Sequence, residues 1–276
     1  MSHWNQPSAL DRVPLARSEE QLDLAWRHGV VLRVDGDGRI AARDASPVTE
    51  NTRGPRGPDD IYLGVFEGRA WFVRPVAGID GESVTWREAP EGEHDPLAAA
   101  VFLTRWHATS PACERCGEPT VPDLGGARRR CTACGSLAFA RMDPSIIVAI
   151  TDPDDRLLLA RNSAWPQRRV SIIAGFMEAG ESAEQACHRE VFEEVGVRLA
   201  SLSYVSSQPW PMPRSLMLGF EARAVDSRIH VDGDEIVEGA YHTRADLAAA
   251  VSSGEVVLPG GASIARHLIE RWLTAG

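Results

Sequence analysis

Residues 175–197 read GFMEAGESAEQACHREVFEEVGV, and the rest of the chain is best read outward from this stretch. Ser182 with Gln185 three positions on has the form of a capping box, and Gly196 stands where a left-handed C-terminal cap is wanted. The spacing therefore predicts a helix over 183–195. On it Glu190, Glu193 and Glu194 share one face, while Cys187, Val191 and Val195 form an adjacent apolar stripe for packing. Three carboxylates this close repel one another. On a solvated surface that is tolerable, and most acidic runs are solvated faces. In a cleft it asks for a cation, and all-oxygen ligation selects Mg²⁺ or Mn²⁺ over zinc. Gly175, Glu181 and Arg189 in register with these glutamates favour the cleft. At roughly one chance in fifteen per position, the seven residues coincide with probability on the order of 10⁻⁸.

The segment resembles the Nudix box, G-x5-E-x7-R-E-U-x-E-E-x-G-U with U aliphatic, at every defined position. The resemblance implies a hydrolase that cleaves a nucleoside diphosphate linked to another group. It also implies a Nudix α/β/α sandwich with a mixed sheet. The box is specific for the superfamily and nearly silent about substrate.

Substrate information comes from residues 207–217, SQPWPMPRSLM. Pro209, Pro211 and Pro213 fix φ at alternate positions and are expected to stiffen an extended loop that presents Trp210. A surface turn with a core tryptophan is the alternative from residue types alone. The string is similar to the SQPWPFPxSLM motif of the NADH pyrophosphatases, with Met212 in place of the usual phenylalanine.

Cys113-x2-Cys116 and Cys131-x2-Cys134, each pair followed by glycine and separated by fourteen residues, have the spacing of a four-cysteine zinc ribbon. Two disulfides or four unlinked thiols are the alternatives; a cytosolic setting disfavours the first and the repeated Cys-x2-Cys-Gly the second. Closed thiolate coordination points to a structural Zn²⁺. Cys187 reads as a small buried apolar residue. NADH pyrophosphatases carry such a ribbon immediately before the Nudix domain.

A chain of 276 residues with 43% hydrophobic content can bury a substantial core. No apolar run approaches the ~18 residues that span a bilayer, and no basic stretch followed by an apolar one opens the chain, so a cytoplasmic protein is expected. The formal charge of −10 argues against generic nucleic-acid coating; Arg128-Arg129-Arg130 is a local basic exception that more often means solvated charge.

Turn residues and periodicity predict hairpins over 30–42 and 61–76, with a proline- and glycine-rich loop over 51–60 between them. Helical spacing runs over 96–106 and again over 263–273, strands are expected over 145–151 and 157–161, and 170–174 carries the chain into Gly175. The expected domains are a β-rich N-terminal domain over 1–110, the zinc ribbon over 111–138 and the Nudix domain over 139–276.

The resemblance then assigns roles residue by residue. Glu190, Glu194 and Glu235 match metal-binding carboxylates, with the Ala174 carbonyl as a further ligand and Glu193 nearby. Arg189 would orient a glutamate, and Glu193, Glu194 and Glu235 each remain candidates for the general base. Phe139, where the family often has tyrosine, and Phe176 match rings that bracket a nicotinamide or base. Gln208, Pro209, Trp210, Pro211, Met212, Pro213, Arg214, Ser215 and Ala265 match substrate-contacting positions, and Arg87 does so weakly. Gly126 stands where some members carry a substrate-binding glutamate. The implied reaction converts NAD(H) and water to NMN(H) and AMP, with removal of NAD caps from RNA 5′ ends as a related activity, in a homodimer. An ADP-ribose or dinucleoside polyphosphate hydrolase is the rival enzyme. A non-catalytic, zinc-ribbon nucleic-acid-binding module is the rival from another class.

Overall fold

The computed structural model describes residues 6–12 and 17–275. In chain order the elements are α1 (Glu19–Arg27), β1 (Val30–Asp35), β2 (Ile40–Arg43), β3 (Ser46–Pro47), β4 (Thr49–Asn51), β5 (Ile61–Phe66), β6 (Arg69–Val76), β7 (Ser83–Val84) and α2 (His94–Thr109). There follow β8 (Thr120–Asp123), β9 (Arg128–Cys131), β10 (Leu137–Phe139), β11 (Asp143–Thr151), β12 (Leu157–Asn162), β13 (Ile173–Phe176) and α3 (Ala183–Val195). The chain closes with β14 (Leu199–Trp210), β15 (Ser215–Ala224), β16 (Ile236–His242), α4 (Arg244–Ser253) and α5 (Ile264–Thr274). They form two compact units, one of residues 143–209 with 215–275, the other of residues 7–142 with 210–214.

In the first unit a six-stranded sheet runs β14-β15-β11-β12-β16, with β13 paired to β11. The β11–β15 pairing is parallel; β11 pairs antiparallel with β12 and β13. The run Ile146–Ile150 explains why β11 is central, because its two faces meet two different cores. Ile146, Val148 and Ile150 pack with Cys187, Val191 and Val195 of α3. Ile147 and Ala149 pack with Leu247 of α4 and Leu268, Ile269 and Trp272 of α5. A strand with period-two side chains and both faces buried requires helices on both sides, which makes this an α/β/α sandwich with a mixed sheet.

In the second unit a seven-stranded sheet carries the order β3-β2-β1-β6-β5, with β4 on β1 and β7 on β2. Both hairpins legible in the sequence form, β1–β2 around the turn at 36–39 and β5–β6 around Glu67-Gly68. Leu22 and Trp26 of α1 pack on Val31, Tyr62 and Phe72 of this sheet. The antiparallel β8–β9–β10 ribbon belongs to the same unit, and the Tyr62 amide donates to the Gly125 carbonyl at 2.8 Å.

The segment that carries the chain into Gly175 forms a strand from Ile173 to Phe176. One local expectation changes. The stretch over 207–217 is not an irregular loop: Ser207 to Trp210 end β14, Ser215 begins β15, and only 211–214 turn the chain. Proline is tolerated there because β14 is an edge strand, where missing amide donors break no ladder on the open side.

Candidate active site

The acidic centre grows from β13, the turn after it and α3. Ser182 and Gln185 close the capping box in both directions, and Gly196 ends α3 at φ +66°. The helix thus starts and stops where its own residues dictate, which sets the rotation of every glutamate on it. Glu190 lies directly against Gly175. A Cβ at Gly175 would come within 2.1 Å of the Glu190 Cδ and 2.3 and 2.4 Å of its two oxygens. No side chain fits there, so the glycine of the motif is a seat for a carboxylate.

Arg189 gathers the other acids. Its Nε donates to Glu181 Oε1 at 2.9 Å and its Nη2 to Glu181 Oε2 at 2.8 Å, a bidentate pair. Nη2 also donates to the Phe176 carbonyl at 2.9 Å, while Nη1 lies 2.9 Å from Glu190 Oε1 and 3.1 Å from Glu193 Oε2. The Arg189 pairing, with a hydrogen bond donated by the Glu178 backbone amide, holds the Glu181 carboxyl down to about 2. One guanidinium therefore positions three carboxylates rather than the single glutamate that motif logic suggested.

Glu194 is the buried acid, 5% exposed. Burial first, then repulsion from Glu235, Glu190, Asp232 and Glu193, pushes its carboxyl up to about 8. Burial likewise raises Glu190, against the pull of Arg189. Glu193 remains largely solvated.

Glu235 reaches this centre from the turn before β16, and two residues not singled out from the sequence hold it. The Asp232 carboxylate accepts from the amides of Asp234 at 3.3 Å, Glu235 at 3.2 Å and Ile236 at 2.8 Å. Asn162 Nδ2 donates to Glu235 Oε1 at 3.3 Å. Asp232 carried a signal in the DGDE turn; Asn162, at the end of β12, carried none. Ala174 stands on β13 opposite Ile147. A set of oxygen donors with one carboxylate buried among others fits a hard divalent cation, because the positive charge offsets both the repulsion and the desolvation.

The other sequence-predicted residues fall into separate environments. Gln208 is fully buried, its Nε2 donating to the Ala262 carbonyl and its Oε1 accepting from the Ile264 amide, each at 2.7 Å. Its amide thus caps the start of α5. Ala265 is buried in the first turn of that helix, and Ser215 is buried at the start of β15. Pro209 is half-buried, and Phe176 exposes its ring. In the second unit, Trp210 meets Trp86 edge to face with ring centroids 5.5 Å apart, and the Arg87 guanidinium lies 5.2 Å from the Trp210 ring centre. Pro211 is buried, Met212 half-buried, and Pro213, Arg214 and Phe139 exposed. Gly126 has φ +86°, and a Cβ there would meet Ile61 Cγ2 at 2.7 Å, which explains why no larger residue occupies it.

The ribbon closes as spaced. Sγ–Sγ distances are 3.7 Å for Cys113–Cys134 and 3.5 Å for both Cys116–Cys131 and Cys116–Cys134. All four sulfurs lie within 4.8 Å of one another, and none is in a disulfide. Gly117 and Gly135 turn the two knuckles at φ +79° and +72°, each amide donating back to the first cysteine of its pair. The Ser136 hydroxyl and amide hold Cys134 down to about 6. Four converging sulfurs with one thiol already acidic form a site suited to structural zinc.

A NUDIX domain matches residues 141–259. Over 288 aligned residues, 95% of this chain and 92% of the relative, the chain is 35% identical to the NAD-capped RNA hydrolase NudC of Mycobacterium bovis (strain BCG / Pasteur 1173P2). The same figures hold for the protein of that name from Mycobacterium tuberculosis (strain ATCC 25618 / H37Rv). It is also 36% identical over 231 residues to the NAD-capped RNA hydrolase NUDT12 of Homo sapiens, covering 74% of this chain and 50% of that one.

Proposed function

This chain belongs to the Nudix hydrolase superfamily, and from that premise we propose that it hydrolyses the diphosphate bond of NAD(H) to NMN(H) and AMP. The same bond in NAD-capped RNA 5′ ends is its second proposed substrate. The observation that carries the reading is the carboxylate centre, with Glu190 seated on Gly175 and Glu194 buried beside it, in a chain alike over nearly its whole length to NAD-capped RNA hydrolases.

Phosphoanhydride hydrolysis develops negative charge on the bridging and non-bridging oxygens. Mg²⁺ or Mn²⁺ held by Glu190, Glu194, Glu235 and the Ala174 carbonyl would offset that charge and acidify the attacking water. The side chains supply the rest. Arg189 keeps Glu181, Glu190 and Glu193 in place, so little reorganisation is needed as charge develops. Glu193, Glu194 and Glu235 are the carboxylates available to take the proton from water. Within the first unit, the exposed ring of Phe176 offers a stacking face for the nicotinamide or a base. Catalysis is assigned to residues 139–276, with the ribbon over 111–138 and the β-rich domain over 1–110 as accessory parts, in a cytoplasmic homodimer.

The test is chromatography of products after incubation with NADH, NAD, ADP-ribose and NAD-capped RNA, in Mg²⁺ and then in Mn²⁺. NMNH with AMP is expected from NADH. Faster cleavage of ADP-ribose than of NADH or capped RNA overturns the substrate assignment. Glu194→Gln serves as the control, with kcat lowered at least about a thousandfold.

A further inference from the structure

A cavity of about 310 Å³ lies within the second unit, lined by residues of α2, β6 and the β8–β9 ribbon. Its cationic pole is Arg129, only 8% exposed. Its hydrogen bonds go to neutral groups: Nε donates to the Thr120 hydroxyl, Nη2 to the Thr120 carbonyl and Nη1 to His107 Nδ1, each at 2.7 Å. His107 Nε2 lies 2.8 Å from the Gly126 carbonyl, which can only accept. The imidazole therefore carries its proton on Nε2 and is neutral, with Nδ1 accepting from Arg129. These contacts engage three of the five guanidinium N–H groups and leave two. Among the described residues Arg129 forms no contact ion pair; the Asp59 carboxylate acts on it electrostatically without touching it, so the cost of taking this charge out of water is only partly offset.

Thr104 lines the same cavity. It is 2% exposed, and its hydroxyl has no hydrogen-bond partner among the described residues. Buried hydroxyls are nearly always paired, so this is a second unmet polar demand at one place. Ile61, Val76 and Pro122 give apolar walls, and the exposed Asp59 supplies a carboxylate. A bare polyanion suits Arg129 but is opposed by Asp59. A ligand with a phosphate at one end and hydroxyl donors at the other satisfies both, and the volume suits a molecule of that size.

We propose that this cavity binds a phosphorylated ribose, free or as a nucleoside 5′-monophosphate, with the phosphate on Arg129 and the Thr104 hydroxyl, and the sugar hydroxyls on Asp59. The site is separate in its residues from the carboxylate centre and does not depend on the reaction assigned there. Because AMP is also a proposed reaction product, binding is measured in full-length, zinc-loaded Glu194→Gln protein without added divalent cation, with no activity readout.

Calorimetric titration with AMP, ribose 5-phosphate and inorganic phosphate is expected to show AMP and ribose 5-phosphate binding. Ala108→Trp places an indole at the cavity from an exposed position of α2 and should weaken that binding at least about tenfold without lowering Tm. Thr104→Val removes only a hydroxyl without a partner and should weaken it about threefold or more, again with Tm maintained. Affinity unchanged in both variants overturns the proposal, as does the absence of binding at millimolar ligand. Inorganic phosphate binding as tightly as AMP overturns the ribose assignment.

Discussion

Glu190 against Gly175 links one motif residue to another through space, and its consequence is testable. Gly175→Ala forces the Glu190 carboxylate to move, since the new Cβ would otherwise lie 2.1 Å from its Cδ. A displacement of about 1 Å at a reacting centre costs about a hundredfold in rate, so kcat should fall by that order while zinc content stays at wild type. Activity within threefold of wild type would remove Glu190 from the machinery. Glu194 yields a pH dependence. In the cation-free fold its carboxyl is raised from the ordinary 4.5 to about 8, so between those values the folded state holds a proton that the unfolded state has lost. Cation-free stability therefore falls as pH rises through that window. If the proposed divalent cation replaces the proton, the Tm increment from Mg²⁺ or Mn²⁺ should be larger at pH 8.5 than at pH 5.5. Scanning fluorimetry with equal increments at both pH values would place the cation away from Glu194.

The β14–β15 hairpin shows what happens to motif residues when elements assemble. Gln208, expected among the substrate contacts, is wholly engaged in capping α5. Gln208→Ala leaves the Ile264 amide and Ala262 carbonyl without their partner, so a loss of about 1 to 3 kcal/mol is expected in denaturant unfolding. An unchanged midpoint with raised KM would instead give Gln208 a direct role in binding. Trp210 two residues later lies edge to face against Trp86, with Arg87 over its ring. If that aromatic group serves the dinucleotide, Trp210→Ala should cost NADH cleavage about 1 to 3 kcal/mol more than ADP-ribose cleavage. Equal losses on both substrates would make the tryptophan a packing residue only. β14 itself was illegible from sequence: LASLSYVSSQPW carries serines and a proline, and as a half-exposed edge strand it has no clean alternation of apolar side chains.

At the scale of the whole chain, the four-cysteine site and the proposed carboxylate site differ in hardness, and a difference in exchange is expected. Brief EDTA treatment should abolish an activity that Mg²⁺ or Mn²⁺ restores, while about one zinc per chain survives gel filtration. Cys113→Ser should lower both zinc content and Tm, since structural zinc contributes directly to folding free energy. Metal analysis that finds no zinc in freshly purified, reduced protein would leave the four converging sulfurs without their cation. What the sequence by itself determined is short-range: the caps of α3, the Cys-x2-Cys-Gly knuckles, the β1–β2 and β5–β6 turns, and the two-sided burial of β11. Those follow from dihedral preference, hydrogen bonding and side-chain period within a few residues. Only the tertiary structure decided that Asn162 and Asp232 hold Glu235 and its turn, that Gln208 caps α5, and that Arg129, His107 and Thr104 meet at one cavity. Such meetings depend on strand order and register, as in the parallel pairing of Asp143–Thr151 with Ser215–Arg223, which are set by packing energy summed over whole layers rather than by any local pattern.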